Sequence, residues 1–300
     1  MTDMTTETLF DPTAPLTASG NLRRRQLVSG LAESAATGAA LLAITVLGIV
    51  IYAVIARGAA ALSWDFLTKN PPAFGSGGGI APAIVGTAVI VGLGTLIAAP
   101  VGILTALYLT EFARGRIGNL IRLTMDVLNG VPSIVIGVFV FGLLVRGHHQ
   151  SGFAAAVALA IIMLPLVARS AQEVLLLVPG SLREAADALG VARWRSVLGV
   201  ILPSAMGGIL TGTVLAVARA AGETAPLLLV SSIYPNGVHT NPFSSGLANI
   251  PVYIFNASEQ ADPGGFTRAW GAALVLMAFI LITSLGARAL LARSRRKLTR

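Results

Sequence analysis

Six stretches of predominantly apolar sequence, each near 20 residues or longer, leave this chain few ways to fold: Ala35 to Ala56, Pro82 to Thr110, Leu120 to Val145, Phe153 to Val178, Ser204 to Ile233 and Trp270 to Leu291. A helix of about 20 residues crosses ~30 Å of hydrocarbon, and in lipid every backbone N–H and C=O needs a partner within the segment. The pattern therefore predicts an all-α integral membrane protein with six transmembrane helices. Charged residues make up only 11% of the chain and hydrophobic residues 55%, with a mean hydropathy of +0.80. A soluble domain carries about 25% charge.

The net charge of +8 would suggest nucleic-acid binding in a soluble protein, but its placement argues otherwise. Arg23 to Arg25, Arg114, Arg116, Arg122, Arg183, Arg193, Arg195 and the cluster from Arg288 to Arg300 fall on one side of a six-span arrangement. The other side holds only Arg57, Lys69, Arg146 and Arg268. The excess of arginine and lysine in cytoplasmic loops then puts both termini inside, and the charge reflects topology and anionic lipid. The sequence divides into a polar tail over residues 1–30, a six-span domain over 31–293 and a basic cytoplasmic tail over 294–300. The basic triplet before the first apolar run resembles a signal peptide, but the run is too long and further spans follow, so it reads as a retained span. With no cysteine, disulfides and thiolate metal sites are excluded.

Two external connections, Arg57 to Ala81 and Tyr234 to Phe266, are rich in proline, glycine and asparagine and read as turn-rich loops. The second contains an apolar patch, Ile250 to Phe255. It reads as a short helix or re-entrant piece presented outward, or as a plug packed on the chain's own spans. Asn256, Ala257 and Ser258 match a glycosylation sequon by chance pattern alone. His148 and His149 sit in a short external loop as solvated residues. No soluble domain and no short-period repeat is present.

Between spans four and five, Pro179 to Pro203 reads as a cytoplasmic loop carrying a short helix. Ser181 is placed to cap it and Glu184, three residues on, to complete a capping box. Gly190 supplies the left-handed residue that ends it, and Pro203 suits the first turn of the next span. Ala185, Ala186 and Ala188 form a small face beside Arg183, Glu184 and Asp187, allowing another surface to come close.

Span five carries Arg219, Gly222, Glu223, Thr224, Ala225 and Pro226 within apolar sequence. Each charge costs about 2.5–3.5 kcal/mol at a helix centre, so both should face a cavity and each other, four residues apart on one helical face. Pro226 cannot bond the Gly222 carbonyl, which loosens the helix there. The arginine fork suits a tetrahedral oxyanion, and Glu223 would hold that fork when substrate is absent and accept a hydrogen bond from a protonated oxygen. Sulfate, fully ionised, offers no such donor. A structural ion pair is the competing reading. Arg169, after Pro165, is a second candidate along the path; it also suits snorkelling to lipid phosphate or pairing with Glu173. Asn129 to Ser133 interrupt span three, as a pathway-lining discontinuity or a packing kink.

Two of these segments carry a family resemblance. Glu184, Ala185 and Ala186, then Gly190, then Val200, Leu202 and Pro203 resemble the EAA motif of bacterial ABC importer permeases, with Val200 where isoleucine is commoner. Arg219 to Pro226 resembles the R-A-x-G-E-T-A-P segment of phosphate ABC transporter permeases. Gly79 to Thr87 and Asp126 to Gly137 are similar to that family's second- and third-span segments. The resemblance runs from Leu31 to Arg293 and is greatest to the A-type subunit. It implies a type I ABC importer permease (MetI-like) fold and a permease, not an enzyme, forming half of a translocation pathway for inorganic phosphate in the bacterial inner membrane. It implies a pathway through Arg219, Glu223 and Arg169, and coupling through Glu184, Ala185, Ala186, Gly190 and Pro203. The implied partners are a homologous second permease, two copies of an ATP-binding subunit and an extracytoplasmic phosphate-binding protein. No G-x-x-x-x-G-K-[ST] loop occurs here, so ATP and Mg would be used by the partner ATPase and no cofactor would be bound by this chain. Rival readings are a permease for sulfate, molybdate or polyamine, a passive channel, which would have no use for a docking loop, and an intramembrane enzyme. Polyamine is disfavoured by an arginine in the path. The enzyme is disfavoured by the lack of H-E-x-x-H and of a serine and histidine pair within spans.

Overall fold

The computed structural model describes residues 22–72, 77–113, 115–232, 237–243, 245–259 and 263–298. Arg114, residues 1–21 and the loop tips at 73–76 and 233–236 lie outside the described residues, as do the side chains of the basic segment from residue 291 onward. The chain divides into two units, 1–52 and 53–300. Over its described residues the first is the greater part of α1 (Leu22–Gly58), which contains most of the expected first span and begins well before it. Residues 24–52 are exposed, as an apolar helix in contact with lipid requires.

All described elements of the second unit are helices. Ser63 caps the short α2 (Trp64–Thr68) by accepting from the Phe66 amide at 3.0 Å. Next come α3 (Ala81–Leu107), closed by a π turn at Tyr108–Phe112, and α4 (Arg116–Gly130). α5 (Ser133–Val140) is extended by a π turn at Phe141–Val145. α6 (Gly152–Leu176) is the central helix: α3, α4, α5, α9 and α10 all pack on it. Its Ala154, Ala155, Ala158, Leu159, Met163 and Val167 are buried with Ile90, Val91 and Ala98 of α3. A run of small residues lets the two helices approach closely, the usual device where neighbouring lipid is as apolar as the side chains.

Two expected spans are corrected. The third, expected over Leu120 to Val145 with an interruption at Asn129 to Ser133, begins earlier, at Arg116, and the interruption is a bend of 101° between two helices, from Gly130 to Ser133. Val131 precedes Pro132 and takes an extended conformation, φ −69° and ψ 129°, because the proline ring excludes the helical region for the residue before it. The fifth, expected over Ser204 to Ile233, starts earlier and ends earlier. α8 (Arg193–Ser196), a π turn (Val197–Ile201) and α9 (Leu202–Ala220) form one continuous helical run. The chain then breaks and resumes as α10 (Ala225–Val230). Pro203 thus lies in the first turn of α9 yet inside a longer helix, directly after a π turn that absorbs its missing hydrogen bond. Counting the bent pair as one, six segments among the described residues are long and apolar enough to cross a membrane.

The apolar patch of the second long loop is α11 (Ile250–Glu259), and it packs inward. Ile250 and Tyr253 are buried with Phe66, Ile80 and Ala269, against α12 (Pro263–Leu298) and α3, which settles the plug alternative. Buried polar groups fix it. Thr87 Oγ1 accepts from the Ile250 amide at 2.9 Å, Ser231 Oγ both donates to the Leu247 carbonyl and accepts from its amide, and Asn249 Nδ2 donates to the Ser231 carbonyl.

Candidate functional site

The two helix breaks meet across α6. Leu128, Asn129, Val131, Pro132, Ser133 and Ile136 from the α4–α5 break, Ile162 and Leu166 from α6, and Arg219 and Glu223 from the end of α9 line one cavity of about 210 Å³. Close approach makes this possible. A Cβ at Gly137 of α5 would stand 2.7 Å from the Cα of Pro226 in α10, so only glycine lets the two half-helices touch. At the end of α9 the Gly222 amide donates to the Arg219 carbonyl at 3.1 Å and the Glu223 amide to Ala220 at 3.1 Å, a tight turn in place of another helical turn. Pro226 sits in the first turn of α10, where an N–H has no helical partner in any case. It therefore starts a new helix and does not loosen a continuous one.

This turn changes the expected relation of Arg219 and Glu223. Ion pairs among the described residues join Lys69 to Asp65, Arg169 to Asp126 and Arg183 to Glu111; Arg219 and Glu223 do not pair. They share the cavity and not a helical face, because the helix ends at Ala220 before the four-residue register is completed. Arg219 is exposed to the cavity and Glu223 half-buried. Both are thus available to a ligand.

Arg169 lines a second cavity of about 260 Å³ with Arg122, Asp126, Asn129, Pro165, Gln172 and Glu173 among others. Its partner is Asp126 of α4, Nη1 to Oδ1 at 3.4 Å, and not Glu173 of its own helix as the spacing allowed. The 101° bend carries α4 across α6 and brings Asp126 into reach. Asn129 borders both cavities, so the Arg219 and Arg169 chambers adjoin at the break in span three. The discontinuity therefore lines both chambers. Neither Asp126 nor Arg122 stood out in the sequence as a site residue; a carboxylate and an arginine four apart just before an Asn-Gly-x-Pro break was the available signal.

The loop between spans four and five forms α7 (Gly180–Ala188). Pro179, not Ser181, occupies the cap position, and no side chain caps the helix: it starts two residues earlier than a Ser181 cap would give, which places Ser181 inside the first turn. Gly190 ends it with φ +67°, in the left-handed region expected of it. Glu184, Ala185, Ala188 and Leu189 are exposed, but Ala186 turns inward and is buried, so the small face is narrower than the sequence suggested. Arg183 reaches Glu111 in the π turn that closes α3, 2.8 Å from Nη2 to Oε1. Glu111 was missed in the sequence, where it sits at the end of an apolar run with Arg114 and Arg116 far nearer in number than Arg183.

Comparison with known proteins places this architecture. Residues 98–296 match the sequence model of the family described as binding-protein-dependent transport system inner membrane component. The phosphate transport system permease protein PstA 1 of Mycobacterium tuberculosis is 37% identical over 290 residues, 95% of this chain and 94% of that protein. The PstA of Haemophilus influenzae is 40% identical over 234 residues, 77% of this chain and 82% of its own length. Among solved structures, a bacterial alginate ABC transporter matches with a TM-score of 0.64 at 15% identity, covering 89% of this chain and 96% of that one. Half-helices meeting around a central span and these similarities converge: the chain belongs to the binding-protein-dependent transport system inner membrane component family, the permeases of ABC importers.

Proposed function

We propose that this chain is the permease subunit of an ATP-driven importer of inorganic phosphate, with substrate passing Arg219. The observation that carries the reading is the cavity between the two helix breaks, which presents an arginine and a carboxylate that are not paired with each other. A guanidinium fork binds two oxygens of a tetrahedral anion, and a carboxylate beside it accepts a hydrogen bond from a protonated oxygen, which phosphate has at neutral pH and sulfate lacks. The name of the relatives supports the same anion. From Arg219 the anion moves to the adjoining Arg169 chamber, where Asp126 gives up the guanidinium as substrate arrives.

The chain forms half of the pathway. A homologous permease supplies the other half, two ATP-binding subunits bind below, and an extracytoplasmic phosphate-binding protein delivers substrate from outside. Those ATPase subunits use ATP and Mg, and this chain binds no cofactor. α7 is the element they hold: its exposed Glu184, Ala185, Ala188 and Leu189 suit a groove on another subunit. Both termini lie in the cytoplasm of a cell whose inner membrane the chain spans, a reading that the weight of arginine on one side supports.

The test is ATP-dependent uptake of radiolabelled phosphate by vesicles containing the whole assembly. Uptake should resist excess sulfate, and Arg219→Gln should lower it by about 10- to 100-fold, the range for removing a charged hydrogen-bond donor, with ATPase binding intact. Strong competition by sulfate would sink the assignment to phosphate.

A further inference from the structure

The inner end of α3 holds a charge that neither the pathway nor the docking motif uses. Glu111 lies in the π turn that closes α3 and is 4% exposed. Arg183 of α7 grips its carboxylate: Nη2 donates to Oε1 at 2.8 Å, and Nε to Oε1 and Oε2 at 3.2 and 3.4 Å. The same guanidinium donates through Nη1 to the Val178 carbonyl at 2.8 Å and through Nη2 to the Leu175 carbonyl at 3.1 Å. Leu175 belongs to the last turn of α6, whose carbonyls lack helical partners and whose dipole favours a cation. Beyond the turn at Gly190, Arg193 of α8 stands over the Phe112 ring at 5.9 Å. The last two residues of the π turn thus contact the loop at two places, within α7 through Arg183 and beyond it through Arg193.

Burial does little to hold α7, since Ala186 is its one buried residue. Nor does the ion pair add much net stability, because the desolvation of two charges offsets their attraction. Its effect is geometric. A planar fork satisfied at once by one carboxylate and two carbonyls fixes α7 in a single orientation against α3 and α6. Those two helices pack on each other more extensively than any other pair, and α6 borders both cavities. Glu111 itself borders neither.

We infer that the Glu111–Arg183 pair is the joint through which displacement of α7 becomes movement of α3 and α6, making Glu111 a positioning residue for transport coupling. This rests on the permease reading but not on the choice of anion. Arg183→Ala would strand a buried carboxylate and confuse folding with coupling, so the informative variants are Glu111→Gln and Arg183→Lys. Each is reconstituted with the partner subunits and binding protein, and three quantities are measured: complex assembled, ATP hydrolysed and radiolabelled phosphate imported per ATP. Glu111→Gln should assemble and hydrolyse ATP while import per ATP falls by about 3- to 30-fold, the range in which single residues alter coupling between distant sites. Arg183→Lys, which keeps the charge and loses the fork, should fall in between.

An unchanged ratio in Glu111→Gln overturns the joint, whether uptake is normal or falls in step with the amount of complex. If that variant does not assemble, Arg183→Lys decides in the same way, and failure of both to assemble makes the pair a folding contact and overturns the inference. The ratio is taken with the anion that wild type imports, sulfate replacing phosphate if necessary. An error in the anion therefore shows in the wild type, and an error in the joint shows only in the variants.

Discussion

Glu223 and Arg219 lie four residues apart in sequence and yet are not partners, and that separation sets what each can do for a ligand. A preformed pair would have to be broken before an anion could bind, whereas a guanidinium and a carboxylate bordering one chamber without contact can both meet the same tetrahedral ion. A site built to accept a hydrogen bond from substrate discriminates strongly against an analogue lacking that hydrogen. Glu223→Gln, which keeps shape and loses the charge, should therefore lower the preference for phosphate over sulfate by about tenfold in competition uptake, with a smaller effect on phosphate alone. An unchanged preference would remove Glu223 from the selectivity argument. The sequence announced these residues because charge inside apolar sequence is costly. It could not announce Asp126 as the partner of Arg169, because that pairing crosses from α4 to α6 and depends on the bend between α4 and α5.

The helices are arranged by glycine and proline more than by hydrophobicity. α9 lies so near α6 that a Cβ at Gly212 would overlap the Ser170 hydroxyl and stand 2.6 Å from its Cβ. Gly212→Ala should cost about 1–3 kcal/mol, as overpacking does, and lower the thermal midpoint of the purified protein in detergent. Adding Ser170→Gly should recover most of the loss, and a single variant as stable as wild type would show that α9 can move away freely. Proline explains why element boundaries departed from expectation. Hydropathy runs straight through residues 120–145 and 204–233, since a broken helix buried among neighbours is as apolar as an intact one. Val131 before Pro132, and Gly222 before Pro226, were legible as weak points. Whether a weak point becomes a mild kink or a 101° turn depends on what packs against it. Here α6 and α10 fill the space that the broken ends leave.

For the molecule as a whole, orientation across the membrane is the property most directly open to test, and the absence of cysteine makes the test clean. A single cysteine in place of exposed His148 should react with a membrane-impermeant thiol reagent from outside intact cells. One in place of exposed Asp187 on α7 should react only after permeabilisation. The reverse pattern would invert the topology. Hydrophobic length and the uneven distribution of arginine were sufficient to read a helical membrane protein and its expected orientation, because both depend on local composition in a medium that tolerates little else. The helix in the loop between spans four and five was legible for a similar reason: its glycine terminator acts within a few positions of the residues it ends. The common chamber of Arg219 and Glu223, the adjoining chamber of Arg169 and Asp126, and the grip of Arg183 on Glu111 were decided only by tertiary structure. Each joins residues on different helices, or on either side of a break, and the distance between them is set by helix ends and close packing that no pattern along the chain encodes.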